Sequence, residues 1–272
     1  MRKTLSFAAA LAFLFSAASL DAQSFAVSHA KVELISRESA LVPGRAISIG
    51  ILFDMEPGWH IYWTNRGDSG EPPRVQWTLP AGLHAGDIRW PVPQKMVHGT
   101  VADYGYEGRV LLAVPVQVAP DYKGGSPATL TADLRYLICR EVCIPAKAQL
   151  RLSIPAPGSS AQAPATQELF LQAEKSVPKP APANWKVQAT DDGREFVIAL
   201  QTGAPESKAE FLPLDEDQVD NAAPQLAKSV PQGVQLTVKK SDQLLKPISS
   251  LHGLIVLGSR AIEVTAPVSV RR

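Results

Sequence analysis

Two runs of alternating apolar residues flank the only two cysteines of this chain, and their period of two leaves little choice of local structure. Before the cysteines, Leu130, Ala132, Leu134, Tyr136 and Ile138 alternate with Thr131, Asp133, Arg135, Leu137 and Cys139. After them, Ile144, Ala146, Ala148, Leu150, Leu152 and Ile154 alternate with Cys143, Pro145, Lys147, Gln149, Arg151 and Ser153. Successive side chains of a strand point to opposite faces, so each run reads as a strand with one apolar face. If residues 139 to 143 ran straight on, the two α-carbons would stand roughly 13 Å apart, beyond the ~7 Å that a disulfide spans. A turn at Arg140-Glu141-Val142 sets Cys139 opposite Cys143, Ile138 opposite Ile144, Leu134 opposite Ala148 and Ala132 opposite Leu150. The register that aligns the thiols is also the one that gathers the apolar partners on one face. Val142, Ile144 and Pro145 argue against the helical alternative. Both sulfurs are then expected on the more polar face, at an exposed hairpin tip within reach of another protein.

The rest of the chain reads the same way. Its 23 prolines and 18 glycines punctuate short alternating segments with hardly any helical period, which places it in the all-β class. Ile47, Ile49, Ile51 and Phe53 form one core face, and Val110 to Val118 a further strand whose Pro115 predicts an edge or a bulge. Strands of this length between turn signals suit a sandwich of the immunoglobulin type. We expect two such β-sandwich domains, over residues 24–156 and 184–270, joined by a Pro/Ala-rich linker over 157–183. Within the linker, residues 167–175 predict a short helix with Thr166 as cap, Glu168 early and Lys175 late. The second domain holds no cysteine, so redox chemistry belongs to the first.

Met1-Arg2-Lys3, an apolar run from Leu5 to Leu20 and small residues up to Ala22 follow the basic, apolar, small order of a cleaved secretory signal over residues 1–22. No later segment approaches the ~18 apolar residues of a membrane helix, so the mature chain is expected to lack a membrane span. Export implies the periplasm, an oxidising compartment where a disulfide persists. Lys and Arg number 27 against 26 Asp and Glu, with no basic block, which sets nucleic acid aside as a partner.

Three readings of the cysteines stay open at this point. A structural staple is the ordinary role of two cysteines in an exported protein, and would make the chain a secreted binding or scaffold protein. Closing so short a ring, however, removes only about 2 kcal/mol of unfolded-state entropy in the loop model. A metal clip would need two more ligands from His29, His60, His84 or His98, none of which has a tight spacing to the cysteines. A working thiol pair needs an accessible thiolate: Arg140 favours the charged form and Glu141 opposes it. No Cys-x-x-Cys opens a helix here, which excludes a thioredoxin-type enzyme.

The segments "PGWHIYWTNRGDSGEPPRVQW", "AGDIRWPVP", "YGYEGRVLL" and "YLICREVCIPAKAQLRL" together resemble the N-terminal periplasmic domain of the thiol-disulfide interchange protein DsbD, over about residues 30 to 155. The likeness is to its ScsB-like branch, associated with copper tolerance, and "FLPLDEDQVDNAAPQ" (Phe211 to Gln225) is similar to the second β domain of that branch. The resemblance implies an immunoglobulin-like sandwich whose cysteines pass reducing equivalents to thioredoxin-fold periplasmic proteins of the disulfide isomerase or reductase type, with no cofactor. It implies that Cys143 forms the mixed disulfide and Cys139 resolves it. His60 and Tyr62 match positions lining the family's site, and His98 to Tyr106 fall where the family has a capping loop, with Tyr104 as candidate shield. Trp59, Tyr62 and Trp63 also read as core or strand-face aromatics. The cysteines are closer together than in the DsbD proteins proper. The family's membrane electron-transfer region and thioredoxin-like domain have no counterpart in this sequence, so a separate membrane or thioredoxin-like electron donor is expected.

Overall fold

The computed structural model describes residues 24–27, 29–123, 127–155 and 166–270. The leader expected over residues 1–22 lies outside them. The N-terminal half is built from strands β1 (Ser24–Val27), β2 (Ala30–Ser36), β3 (Ala46–Met55), β4 (His60–Gly67), β5 (Arg74–Thr78), β6 (Leu83–Ala85), β7 (Gln94–His98), β8 (Val101–Glu107), β9 (Arg109–Val118), β10 (Ala128–Cys139) and β11 (Cys143–Ile154). They form a five-stranded sheet in the order β1-β2-β3-β9-β6, facing a six-stranded sheet in the order β11-β10-β4-β8-β7 with β5 also on β10. Alternation decides which side chains enter the space between the sheets. Ile47, Ile49, Ile51 and Phe53 of β3 meet Leu130, Leu134, Tyr136 and Ile138 of β10 in one apolar cluster, and the Phe53 and Tyr136 rings touch edge-on with centroids 5.2 Å apart.

The hairpin β10–β11 has the register anticipated from its pattern. Cys139 faces Cys143, Ile138 faces Ile144, Leu134 faces Ala148 and Ala132 faces Leu150. Pro115 is not on a sheet edge, since β9 lies between β3 and β6. Its carbonyl accepts from the Gly86 amide, just beyond the end of β6. A residue's N–H and C=O point to the same side of an antiparallel strand, so the missing donor of Pro115 falls where the short β6 has already ended.

The C-terminal half contains α1 (Gln167–Ser176), β12 (Lys179–Pro180), β13 (Lys186–Asp191), β14 (Glu195–Gln201), β15 (Glu210–Pro213), β16 (Leu226–Val230), β17 (Gly233–Lys239), β18 (Ser250–Leu257) and β19 (Arg260–Val270). Their order is β15-β18-β19-β13-β14-β17-β16, with β12 on β19. Strand β19 runs antiparallel to β18 and then parallel to β13, so it joins two layers around a core of Phe196, Ile198, Phe211, Leu236, Leu251 and Ile255. The whole is the all-β, immunoglobulin-like architecture expected.

Two features of the connection differ from a free linker. Helix α1 is docked: Phe170 and Ala173 are buried against Ile35, Leu52, Leu111 and Ala113 on the outer face of the first sheet. Gly50 makes room, because a Cβ there would meet Phe170 Cζ at 3.1 Å. Thr166 stands at the cap position, but its hydroxyl donates to Ser36 O at 2.6 Å and makes no cap bond. The two halves also share apolar surface: Leu212 and Leu254 belong to the same buried cluster as the N-terminal sandwich, with Leu214 and Val256 packed beside them.

Candidate functional site

Cys139 and Cys143 are joined in a disulfide across the hairpin tip, with α-carbons 4.1 Å apart. Their surroundings differ sharply. Cys139 is 2% exposed, whereas Cys143 is exposed. The sheet order gives the reason. At its end β10 is flanked on both sides, by β11 and by β4 through the Cys139–His60 bridge, while β11 is the outermost strand. The expectation that both sulfurs are accessible is therefore corrected: only the edge-strand sulfur is.

Strand pairing assembles the surroundings. His60, Ile61 and Tyr62 of β4 face Glu107, Tyr106 and Gly105 of β8. His60 and Tyr62 point away from the core, on the cysteine side, and their rings contact edge-on at 5.2 Å. The Tyr62 hydroxyl lies 3.4 Å from Cys143 Sγ and 3.4 Å from Ser69 Oγ. Burial pushes the Tyr62 phenol up from its ordinary value. His60 is 4% exposed and its Nε2 has no hydrogen-bond partner. Desolvation pulls its pKa below 6.5 and His98 acts in the same direction, against the opposing charges of Asp103 and Glu107.

His98 ends β7 and is exposed, close enough to His60 for their charges to interact. Arg140 and Glu141 are exposed in the turn, and the Arg140 guanidinium lies over the Trp59 ring at 5.2 Å. His29 stacks on Trp59 at 3.8 Å, so this aromatic forms a second flank of the tip. Tyr104 is corrected as a shield. It lies two residues from Tyr106, whose partner Ile61 is a core residue, so the period of two puts Tyr104 on the opposite face of the sheet from Tyr62. There it is fully buried, edge-on to Trp63, with its hydroxyl donating to Asn221 Oδ1 at 3.2 Å.

What covers Tyr62 is the turn after β4, which the sequence did not single out. Gly70 lies directly on the Tyr62 ring, where a Cβ would collide with it, and φ of +76° also favours glycine there. Asp103 accepts from the Ser69 amide and hydroxyl, both at 2.9 Å. Asp68 accepts from the Ala102 amide at 2.6 Å and from Asn221 Nδ2 at 2.7 Å. Asn65 donates to Pro213 O at 2.9 Å. The run Gly67-Asp68-Ser69-Gly70 was the available signal, as a turn. Among the described residues, no group of three or more His, Cys, Asp or Glu side chains is placed to hold a metal ion, and no helix is long and apolar enough to cross a membrane.

The site is thus a bonded cysteine pair at the edge of an immunoglobulin-like sandwich, with Cys143 exposed and Cys139 enclosed. Residues 31–155 match the family profile described as thiol:disulfide interchange protein DsbD, N-terminal. The N-terminal half of this chain is a DsbD N-terminal-like domain. The fold is shared with the crystal structure of the N-terminal periplasmic domain of ScsB from Proteus mirabilis, at a TM-score of 0.70 and 18% identity, covering 92% of this chain and 99% of that one. The periplasmic chaperone SfaE aligns at a TM-score of only 0.22 and 8% identity, over 88% of this chain and 100% of that one, too weak to bear on the fold. A search of curated proteins found no match.

Proposed function

We propose that this chain is a periplasmic thiol-disulfide exchange module that reduces thioredoxin-fold partners, with Cys143 as the exchanging sulfur and Cys139 as the resolving one. The observation that carries this reading is the unequal exposure of two bonded sulfurs. In the reduced chain the Cys143 thiolate attacks a partner's disulfide. A Cys143–partner bond forms, the partner's S–S bond breaks, and its second sulfur leaves as a thiolate that takes up a proton. The Cys139 thiolate then attacks Cys143 Sγ, the mixed disulfide breaks, and the partner departs as a dithiol. Two electrons and two protons have passed to the partner, and the chain is left with the Cys139–Cys143 disulfide. A separate membrane or thioredoxin-like donor restores the dithiol by the reverse sequence.

His60 suits the resolving step. It lies beside Cys139 across the pairing of β4 with β10, and its imidazole is pushed toward the neutral form, the form that can accept a proton. Arg140, Glu141 and His98 are exposed around the tip and form the polar rim that a partner meets. We propose further that residues 24–156 are the exchanging domain and residues 184–270 a second domain, with 157–183 between them.

Trapping tests the assignment. Incubated with an oxidised thioredoxin-fold protein, the reduced Cys139→Ala variant is expected to accumulate a mixed disulfide through Cys143, while Cys143→Ala accumulates none. Equal trapping by both variants would overturn the roles, and trapping by neither would leave a structural hairpin disulfide.

A further inference from the structure

A directed chain of hydrogen bonds leads away from Cys143. Ser69 donates its amide and its hydroxyl to Asp103, both at 2.9 Å. A serine hydroxyl has one hydrogen, so once it is given to Asp103 the oxygen can only accept. Its remaining neighbour is the Tyr62 hydroxyl at 3.4 Å. In the disulfide Cys143 Sγ has no hydrogen and can only accept; once the pair is reduced, the Cys143 S–H can donate to the Tyr62 oxygen, also at 3.4 Å, while the Tyr62 hydrogen goes to Ser69, so that every member of the chain has a partner. Lone pairs accept from an S–H and repel a thiolate.

We propose that Ser69 is a positioning residue which, by holding the hydroxyl hydrogen of Tyr62, keeps reduced Cys143 in its thiol form, and that the C-terminal half holds Ser69 in place through Asn221. The second part follows from connectivity. Ser69 is fixed by the turn after β4, and that turn is tied to the C-terminal half where Asn221 Nδ2 donates to Asp68 Oδ1 at 2.7 Å and where Asn65 Nδ2 donates to Pro213 O at 2.9 Å. Asn221 is itself fixed, since its Oδ1 accepts from Tyr104 and it is only 8% exposed. A partner that lifts the turn frees the Tyr62 hydrogen to swing to the sulfur, where it stabilises the thiolate. The chain would then react readily only with proteins that engage the turn.

The inference rests on Cys143 being the exchanging sulfur, and it is tested without any partner. The charged and titratable groups around the site are His60 and Tyr62 on β4, Asp103 and Glu107 on β8, His98 on β7, and Arg140 and Glu141 in the hairpin turn. In a Cys139→Ala background, the rate of Cys143 alkylation by iodoacetamide is followed from pH 6 to pH 10. Ser69→Ala is expected to move the midpoint to lower pH and to raise the rate at pH 7 about three- to tenfold, the consequence of a half to one unit in thiol pKa. Ser69→Thr, which keeps the hydroxyl, is expected to follow the parent. Asp103→Asn and Asn221→Ala are expected to move the midpoint in the same direction as Ser69→Ala, so the proposal stays testable should one variant fold poorly. With Tyr62→Phe in place, Ser69→Ala is expected to add nothing. An unchanged or raised midpoint in Ser69→Ala, or an undiminished effect in the Tyr62→Phe background, would overturn the positioning role. A parental profile for Asn221→Ala would remove the part assigned to the C-terminal half. Because iodoacetamide needs no protein partner, failure to trap a thioredoxin-fold protein would refute the proposed function and leave this result standing.

Discussion

Among single residues, His60 has the most direct consequence for pH. Its folded-state pKa is depressed below 6.5 by desolvation, so between that lowered value and 6.5 the unfolded chain binds more protons than the folded one. Stability therefore rises with pH through this window, and is lost as pH falls below about 6.5 until the folded-state value is passed. Urea unfolding of the oxidised protein is expected to show a lower midpoint at pH 5 than at pH 7.5, with the difference reduced in His60→Gln. A pH-independent midpoint would mean that the ring is solvated. The resemblance drew His60, Tyr62 and both cysteines to one site and implied unequal roles for the two sulfurs, but the residues alone did not say which is enclosed. Burial of Cys139 depends on β4, whose His60 stands 79 positions before it in the chain. Tyr104 shows the complementary failure. Its period with Tyr106 was legible, but the face that period selects becomes known only when β8 has a partner.

For the elements, pattern was the better guide. Each residue pair anticipated for the cysteine hairpin is present, because a period of two and a three-residue turn constrain one another locally. Helix α1 was readable as a helix and not as a docked element. Phe170 and Ala173 are only three positions apart, too little to establish an apolar face before the facing sheet is known. Phe170→Ala is expected to cost about 3 kcal/mol in urea unfolding, in the range for truncating a buried aromatic. The rate at which a small dithiol reduces the disulfide should not change, since α1 covers the first sheet and the cysteines lie on the second. A loss well under 1 kcal/mol would show that the helix is only loosely seated.

On the scale of the whole molecule, the two halves are coupled through Leu212, Leu254, Leu214 and Val256 and through the polar contacts of Asn65 and Asn221. A charge in the apolar part of this junction is expected to separate the halves without unfolding either. Leu254→Asp should convert a single unfolding transition into two, and should speed amide exchange in the turn after β4, which the junction holds. One unchanged transition with parental exchange in that turn would show that the contact contributes little.

The sequence by itself determined the all-β class, the cysteine hairpin with its register, and the resemblance to the DsbD N-terminal domain, because alternation, turn length and motif order are properties of neighbouring residues. Tertiary structure alone decided which sulfur faces solvent, where α1 docks, and that an asparagine of the C-terminal half holds a turn next to the cysteines. Asn221 and Asp68 are 153 positions apart, and contacts over such distances form only when separate strands find common faces to bury.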